Sequence, residues 1–518
     1  MLPLAEQKKH TTRLTRAALL VGGFFAIDKG VAFLRQVIIA RRFGLSAELD
    51  AFNVANNIPD LLFALISGGA LAMAFIPVLT EVLTTDGRKA AWDLFSRIAN
   101  LAFILTGILA VLVAIFAPQL VRSEVGIAPG FGEAQQDLVA ELMRLNLIAT
   151  MIFTISGLVI AGLQANQHFL LPAMAPILYN IGQIFGALVL APEQGFTIGP
   201  VTLPAFGLGV QGLVYGVISG AILHLGIQIP GLIRYRFQWT PHIGIRTEGV
   251  RKVLKLMGPR LITMLFIQLI FLARDNFASR LQEGAVSALT YGWMILQVPE
   301  TLIGTAIGTA MLPTLSEMAA TRQWVAFKRT IENSIRVLVA LTLPVAAVLS
   351  LGLKPLLSLV FGFDEAGTDL LVWVTRAFLL GLAGQCLMEV AARSFYARQD
   401  AITPLITSGI NLVIFVGLGL TLSPWLGAPG ISLADSLAFT IQATILFLLL
   451  NPKIPSRLNI NGSLVRGIMA GLIGGGTAAA IVWLGKETPI LAALAAMVLG
   501  FLLSLPLIWR ELRILLHL

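Results

Sequence analysis

Charge is what this sequence has least of. Lys, Arg, Asp and Glu together make up 12% of its 518 residues, against about 25% in an average soluble domain. With 57% hydrophobic residues and a mean hydropathy of +0.86, that scarcity excludes a soluble globular chain. Cysteine occurs once, at Cys386, so no intrachain disulfide can form. His10, His168, His224, His242 and His517 are scattered, and no Cys/His spacing suits a metal. The glycine-rich phosphate loop with its lysine is missing, which removes ATP hydrolysis. No catalytic constellation is present, so the chain does not read as an enzyme.

What it has in abundance is apolar runs of about 20 residues, each long enough to span a bilayer. They lie at 17–42, 50–80, 95–120, 138–163, 168–192, 207–233, 250–273, 284–311, 330–352, 368–392, 402–423, 428–451, 464–485 and 488–510. The expectation is an all-α polytopic membrane protein with about 14 transmembrane helices. Asp28 and Lys29 interrupt the first run and no small-residue cleavage site follows, so it reads as a retained helix, not a signal peptide.

The net charge of +9 sorts by loop. Lys8, Lys9, Arg13 and Arg16 precede the first span, and Arg88, Lys89 and Arg97 follow the second. Arg234 to Lys255 follow the sixth, Arg322, Lys328 and Arg329 the eighth, and Lys453, Arg457 and Arg466 the twelfth. The alternate loops are mostly neutral or acidic, with Arg122, Arg280 and Lys354 as scattered exceptions. By the positive-inside rule both termini are cytoplasmic, which requires an even number of spans. The basic balance is thus a topology signal, and nucleic acid is excluded as a partner.

An internal repeat is readable as well. Ile76-Pro77-Val78-Leu79-Thr80-Glu81 returns 236 positions on as Leu312-Pro313-Thr314-Leu315-Ser316-Glu317. Ile58-Pro59-Asp60 returns as Val298-Pro299-Glu300, and Ala165-Asn166-Gln167-His168 as Ala397-Arg398-Gln399-Asp400. An offset of six spans preserves orientation. The prediction is two parallel six-helix repeats, a transporter signature, plus two C-terminal helices. The expected lobes are residues 1–236 and 237–452, with the helix pair at 453–518.

Ionisable residues at membrane depth are costly and persist mainly where they face a cavity or a partner. Asp28, Arg35 and Arg42 are seven apart and share one stripe of the first helix; beside them is Lys29. Such a stripe suggests a hydrophilic pocket, although Asp28 or Lys29 pairing with a neighbour or snorkelling is the plainer alternative. Arg274 and Asp275 end the seventh helix, either lining an outer mouth or marking the interface. Arg260 lies near that helix's inner end, where it could snorkel. Pro59 and Pro299 interrupt the second and eighth helices. Gly68 and Gly69 in the second, and Gly304 and Gly308 in the eighth, allow close packing or hinging. Glu389 and Arg393 are placed for a helical salt bridge and Asn180 and Asn411 for bonds between helices, while Asp435 is a candidate cation ligand whose single carboxylate does not make a site.

These residues resemble the MurJ (MviN) family of the multidrug/oligosaccharidyl-lipid/polysaccharide exporter superfamily. The resemblance rests on Arg35-Gln36-Val37-Ile38-Ile39-Ala40 with Phe43-Gly44, Asp50-Ala51-Phe52, Ile58-Pro59 and Ala74-Phe75-Ile76-Pro77. Ala128-Pro129-Gly130-Phe131, Met257-Gly258-Pro259, Leu312-Pro313 and Arg398-Gln399-Asp400 continue it in order along nearly the whole chain. It implies a flippase for lipid II, the undecaprenyl-pyrophosphate-linked peptidoglycan precursor, in the bacterial cytoplasmic membrane. Two lobes would rock between inward- and outward-open forms, and the last two helices would groove the lipid tail. No cofactor is implied; the driving force would be the membrane potential or a monovalent cation. Membrane lipids and the cell-wall synthesis machinery would be its neighbours.

The resemblance also assigns residues. Arg35 and Asp50 match positions the family uses, and Lys29 stands where arginine is usual. The family places arginine where Phe63 stands, glutamate at Gly68, an Asp-Arg pair at Trp293-Met294 and lysine at Glu389. The cationic pocket is therefore reduced to Lys29 and Arg35, assisted by Arg274 or Arg260. Alternatives to lipid II are another polyprenyl-pyrophosphate-linked glycan, a drug carried by a cation-coupled exporter, or no cargo at all in a scaffolding paralogue.

Overall fold

A computed structural model describes residues 4–66, 69–455, 458 and 460–515. They are helical almost throughout. The chain divides into two compact units, residues 1–268 and 269–518.

The first unit holds α1 (Leu4–Phe43), α2 (Ala47–Ala55), α3 (Asn57–Ile66), α4 (Gly69–Thr85), α5 (Gly87–Arg122), α6 (Glu133–Ala165), α7 (Leu170–Phe185), α8 (Gly209–Gly226) and α9 (Ile229–Arg234). α10 (Glu248–Ala278) runs across the division. A two-residue-per-strand hairpin, Thr197–Ile198 with Val201–Thr202, is the sheet content of the described residues. The second unit continues with α11 (Ala285–Pro299), α12 (Ala306–Ala320), α13 (Trp324–Gly352), α14 (Lys354–Phe361), α15 (Glu365–Leu380), α16 (Leu382–Tyr396), α17 (Ile402–Leu426), α18 (Ala428–Leu450), α19 (Asn461–Leu484) and α20 (Pro489–Leu515).

Among the described residues, 12 helical stretches are long and apolar enough to cross a membrane. They coincide with the third to fourteenth predicted spans. With α1 and the broken run α2–α4 they make the fourteen expected. A bilayer also accounts for the greasy outer faces. Ile108, Val111 and Ile115 of α5 are each more than half exposed, an arrangement that water would penalise and lipid does not.

The second span is broken differently from the sequence expectation. The interruption falls at Asn56, between α2 and α3, and not at a proline kink. Pro59 lies in the first turn of α3, where its missing N–H has no intrahelical partner to lose. Asn56 turns its side-chain amide back onto the Phe52 carbonyl at 2.8 Å. In the eighth span the break does follow proline: Pro299 ends α11, and Glu300–Thr305 forms a π-helical turn before α12. Such turns are rare and cluster at functional sites.

The repeat is visible in backbone detail. Gln167 and Gln399 both adopt left-handed conformations, with φ of 58° and 61°. In each case the next amide reaches back five residues, His168 to Leu163 at 2.9 Å and Asp400 to Phe395 at 3.0 Å. This is the same Schellman-type helix ending, built twice from the Gln that the two sequence copies share.

Within the second unit, α19 and α20 pack on α13. Gly467, Gly471 and Gly475 line one face of α19 at four-residue spacing, and a Cβ at Gly467 would lie 3.0 Å from the Val339 carbonyl. Small residues at that interval let two backbones approach. Glu511 of α20 is buried and accepts from Ser463 at 2.8 Å and from Arg466 of α19, which locks the pair together.

Candidate functional site

In the first unit the polar stripe of α1 meets α7. The Arg35 guanidinium donates to the Asn180 side-chain oxygen at 2.8 Å, and the Asn180 amide donates to Asp28 at 2.9 Å. One asparagine thus sits between an acid and a base a full seven residues apart on α1. The helical period aligns the two charges, and the amide, with a donor and an acceptor, can serve both at once. Arg35 and Asp28 are half-buried.

Lys29 lies on a different face. It is exposed, has no ion pair among the described residues, and sits 5.2 Å above the Phe25 ring. Successive residues on a helix are about 100° apart, which is why Lys29 does not join the Asp28–Asn180–Arg35 group. Asp50 is almost fully buried in the first turn of α2, 1% exposed, where a negative charge suits the helix N-terminus.

The wall of this region is aromatic. Phe63 of α3 makes an edge contact with Phe153 of α6 at 5.7 Å, and Phe153 in turn meets Tyr179 at 5.0 Å and His224 at 5.2 Å. Where the resemblance implies an arginine, this chain has packed rings. Arg35 and Asp60 both lie within electrostatic range of Tyr179. Asp60 follows Pro59 inside an apolar span, as Glu300 follows Pro299. An acid directly after a proline in both repeats is the signal that finds them.

In the second unit Arg274 and Asp275 form a buried ion pair at 2.8 Å, with side-chain exposures of 12% and 1%. Protein packing covers both side chains. Arg274 also lies 5.1 Å over the Phe271 ring, and Phe271 leads to Trp293, which packs on Phe378 and Phe439. Asp435 is buried, 3.4 Å from the Gln385 amide and within electrostatic range of Arg274. Asn411 donates to Gln442 of α18 at 2.9 Å, so both repeat asparagines bond between helices as expected.

A second charged group surrounds the π-helical turn. Glu300 accepts from Thr305 at 3.0 Å and is within electrostatic range of Glu389 and Arg393. Arg393 is paired with Glu389 and also donates to Thr309 at 3.3 Å. Gly304 and Gly308 make room for this helix. A Cβ at Gly304 would stand 2.7 Å from the Cys386 sulfur, and one at Gly308 would collide with Arg393. The packing role expected of these glycines has its physical reason there.

Three expectations cannot be placed. The side chain of Arg260 is outside the described residues, as is Gly68; Gly69 is described only as the first residue of α4. Among the described residues no group of three His, Cys, Asp or Glu side chains could hold a metal ion.

The family described as lipid II flippase MurJ matches residues 39–506. The lipid II flippase MurJ of Burkholderia cenocepacia is 30% identical over 453 residues, which covers 84% of this chain and 83% of the relative. The probable lipid II flippase MurJ of Vibrio cholerae is 27% identical, with 84% and 82% covered. Among solved structures, the inward closed conformation of lipid II flippase MurJ is similar with a TM-score of 0.76 at 20% identity, over 95% of this chain and 99% of that one. An inward-facing multidrug resistance MATE family transporter of the MOP superfamily has a TM-score of 0.67 at 16% identity, over 82% and 94%. At these identities the two structures establish fold.

Proposed function

The chain belongs to the lipid II flippase MurJ family, and we propose that it moves lipid II from the inner to the outer leaflet of the bacterial cytoplasmic membrane by alternating access. The observation that carries this reading is Arg35, a membrane-embedded guanidinium fixed to α7 through Asn180. A positioned guanidinium is a strong partner for pyrophosphate oxygens, and the exposed Lys29 ammonium adds a second cation. Apolar helix faces suit the polyprenyl tail. No covalent bond changes, so the protein acts as a transporter and not an enzyme.

The lobes in this reading are residues 1–236 and 237–452, with 453–518 as an appended helix pair, and both termini are cytoplasmic by the distribution of Lys and Arg. The driving force is the membrane potential or a monovalent cation.

One observation favours a second cargo, another polyprenyl-pyrophosphate-linked glycan. Phe63 and Trp293 are packed in aromatic clusters at positions where the resemblance implies charge, so the sugar-facing part of the pocket is altered while Arg35 is kept. Growth of a bacterium depleted of its own flippase separates the two. Rescue by this chain, lost in Arg35→Ala at equal membrane abundance, supports lipid II. Absence of rescue with the protein folded in the membrane favours the other glycan.

A further inference from the structure

A groove of about 580 Å³ lies in the second unit along α12 and α13, with Leu515 of α20 on its rim. Ile303 of the π-helical turn, Ile307 and Met311 of α12 and Leu341 of α13 line its apolar part, while Arg329 and Asn333 lie at one end. From Arg329 to Leu341 is twelve residues, about 18 Å along a helix axis. Half of a bilayer core is about 15 Å. A groove of that extent matches the length of one acyl chain.

Charge identifies what the end of the groove takes. Lys328 and Arg336, the cations on either side of Arg329, both pair with Glu332. Arg329 has no acidic partner among the described residues and is exposed. An arginine left unneutralised at the polar end of a lipid-length groove, beside the donor amide of Asn333, matches a phosphodiester above an acyl chain. A second groove of about 360 Å³, between α16 and α18, has no such cation on its lining.

We propose that the α12–α13 groove binds one anionic phospholipid of the surrounding bilayer, its phosphate on Arg329 and Asn333 and one chain along Ile307, Met311 and Leu341. The cluster Arg322, Lys328 and Arg329 places this end on the cytoplasmic side by the positive-inside rule, so the lipid comes from that leaflet. All the lining residues belong to the second unit, and the proposal is independent of which glycolipid is carried.

The test is site-resolved photocrosslinking of the full chain in nanodiscs, using phosphatidylglycerol with a diazirine in the acyl chain. Crosslinks are expected on peptides of α12 and α13, falling about five-fold in Arg329→Ala, the effect of one basic residue at an anionic surface. Ala310→Trp, which fills the apolar part, should abolish them while Lys328→Ala leaves them. Equal labelling by a phosphatidylcholine analogue, or no change in Arg329→Ala, would overturn the assignment of the headgroup. Displacement by an equimolar polyprenyl phosphate would show that the groove belongs to the cargo's tail, which also overturns the proposal. Thermal melting of each variant in detergent separates loss of lipid from loss of fold.

Discussion

Arg35 and Asn180 are joined by a 2.8 Å hydrogen bond between α1 and α7. The bond gives the account its most direct mutational handle, because the two residues have different jobs. Arg35 is the charge and Asn180 holds it in place.

Arg35→Ala should abolish transport at normal expression, since the positioned cation is gone. Asn180→Ala should leave a partial activity, because the guanidinium remains but is no longer oriented. A hydrogen bond to a charged group is worth about 1.5–3 kcal/mol, so the asparagine variant should also melt a few degrees lower. Transport and thermal melting measured on the same preparations check both parts.

Lys29→Ala should also abolish transport, but without a stability change, as the exposed ammonium has only the Phe25 ring beside it. Lys29→Arg, which restores the family's usual residue, should retain activity. Unimpaired transport in Lys29→Ala would remove this residue from the pocket.

Gly304→Val should destabilise the second unit, because even a Cβ there would meet Cys386 backbone and sulfur at 2.9 and 2.7 Å. Overpacking of this kind costs about 1–3 kcal/mol. Cys386 provides the readout, being fully buried and the single cysteine of the chain. A maleimide should label it slowly in the native protein and several-fold faster in Gly304→Val.

Arg466→Ala should be worse for stability than Glu511→Gln. Removing the arginine leaves the Glu511 carboxylate buried with only Ser463 to serve it, whereas glutamine keeps a neutral group in the same place. Loss of one partner of a buried pair costs about 3–5 kcal/mol, and less here because Arg466 is a third exposed. Melting curves of the two variants give the order.

Much of this was legible in the sequence, and the parts that were not share a cause. Apolar length gave the spans, because the bilayer imposes one dimension on every helix. Asp28 and Arg35 could be paired because seven residues is two turns of one helix. Gln167 and Gln399 emerged because a repeated turn needs the same chain geometry twice. Contacts between helices are another matter. That Asn180 is the residue between Asp28 and Arg35, or that Glu300 meets Glu389 and Arg393, depends on how α7 and α16 rotate, and no spacing within one helix reports that. The break at Asn56 was masked by Pro59 three residues on, which looked like the stronger breaker. Glu511 was hidden for the same reason as Asn180, since its partners Ser463 and Arg466 are on another helix.

The most direct test of the central claim is the fraction of lipid II that an externally added, membrane-impermeant hydrolase can cleave in cells depleted of their own flippase. With this chain expressed, cleavage should return to the level seen before depletion, and with Arg35→Ala it should stay at the depleted level. Cleavage that stays low with the wild-type chain folded in the membrane would contradict lipid II as its cargo.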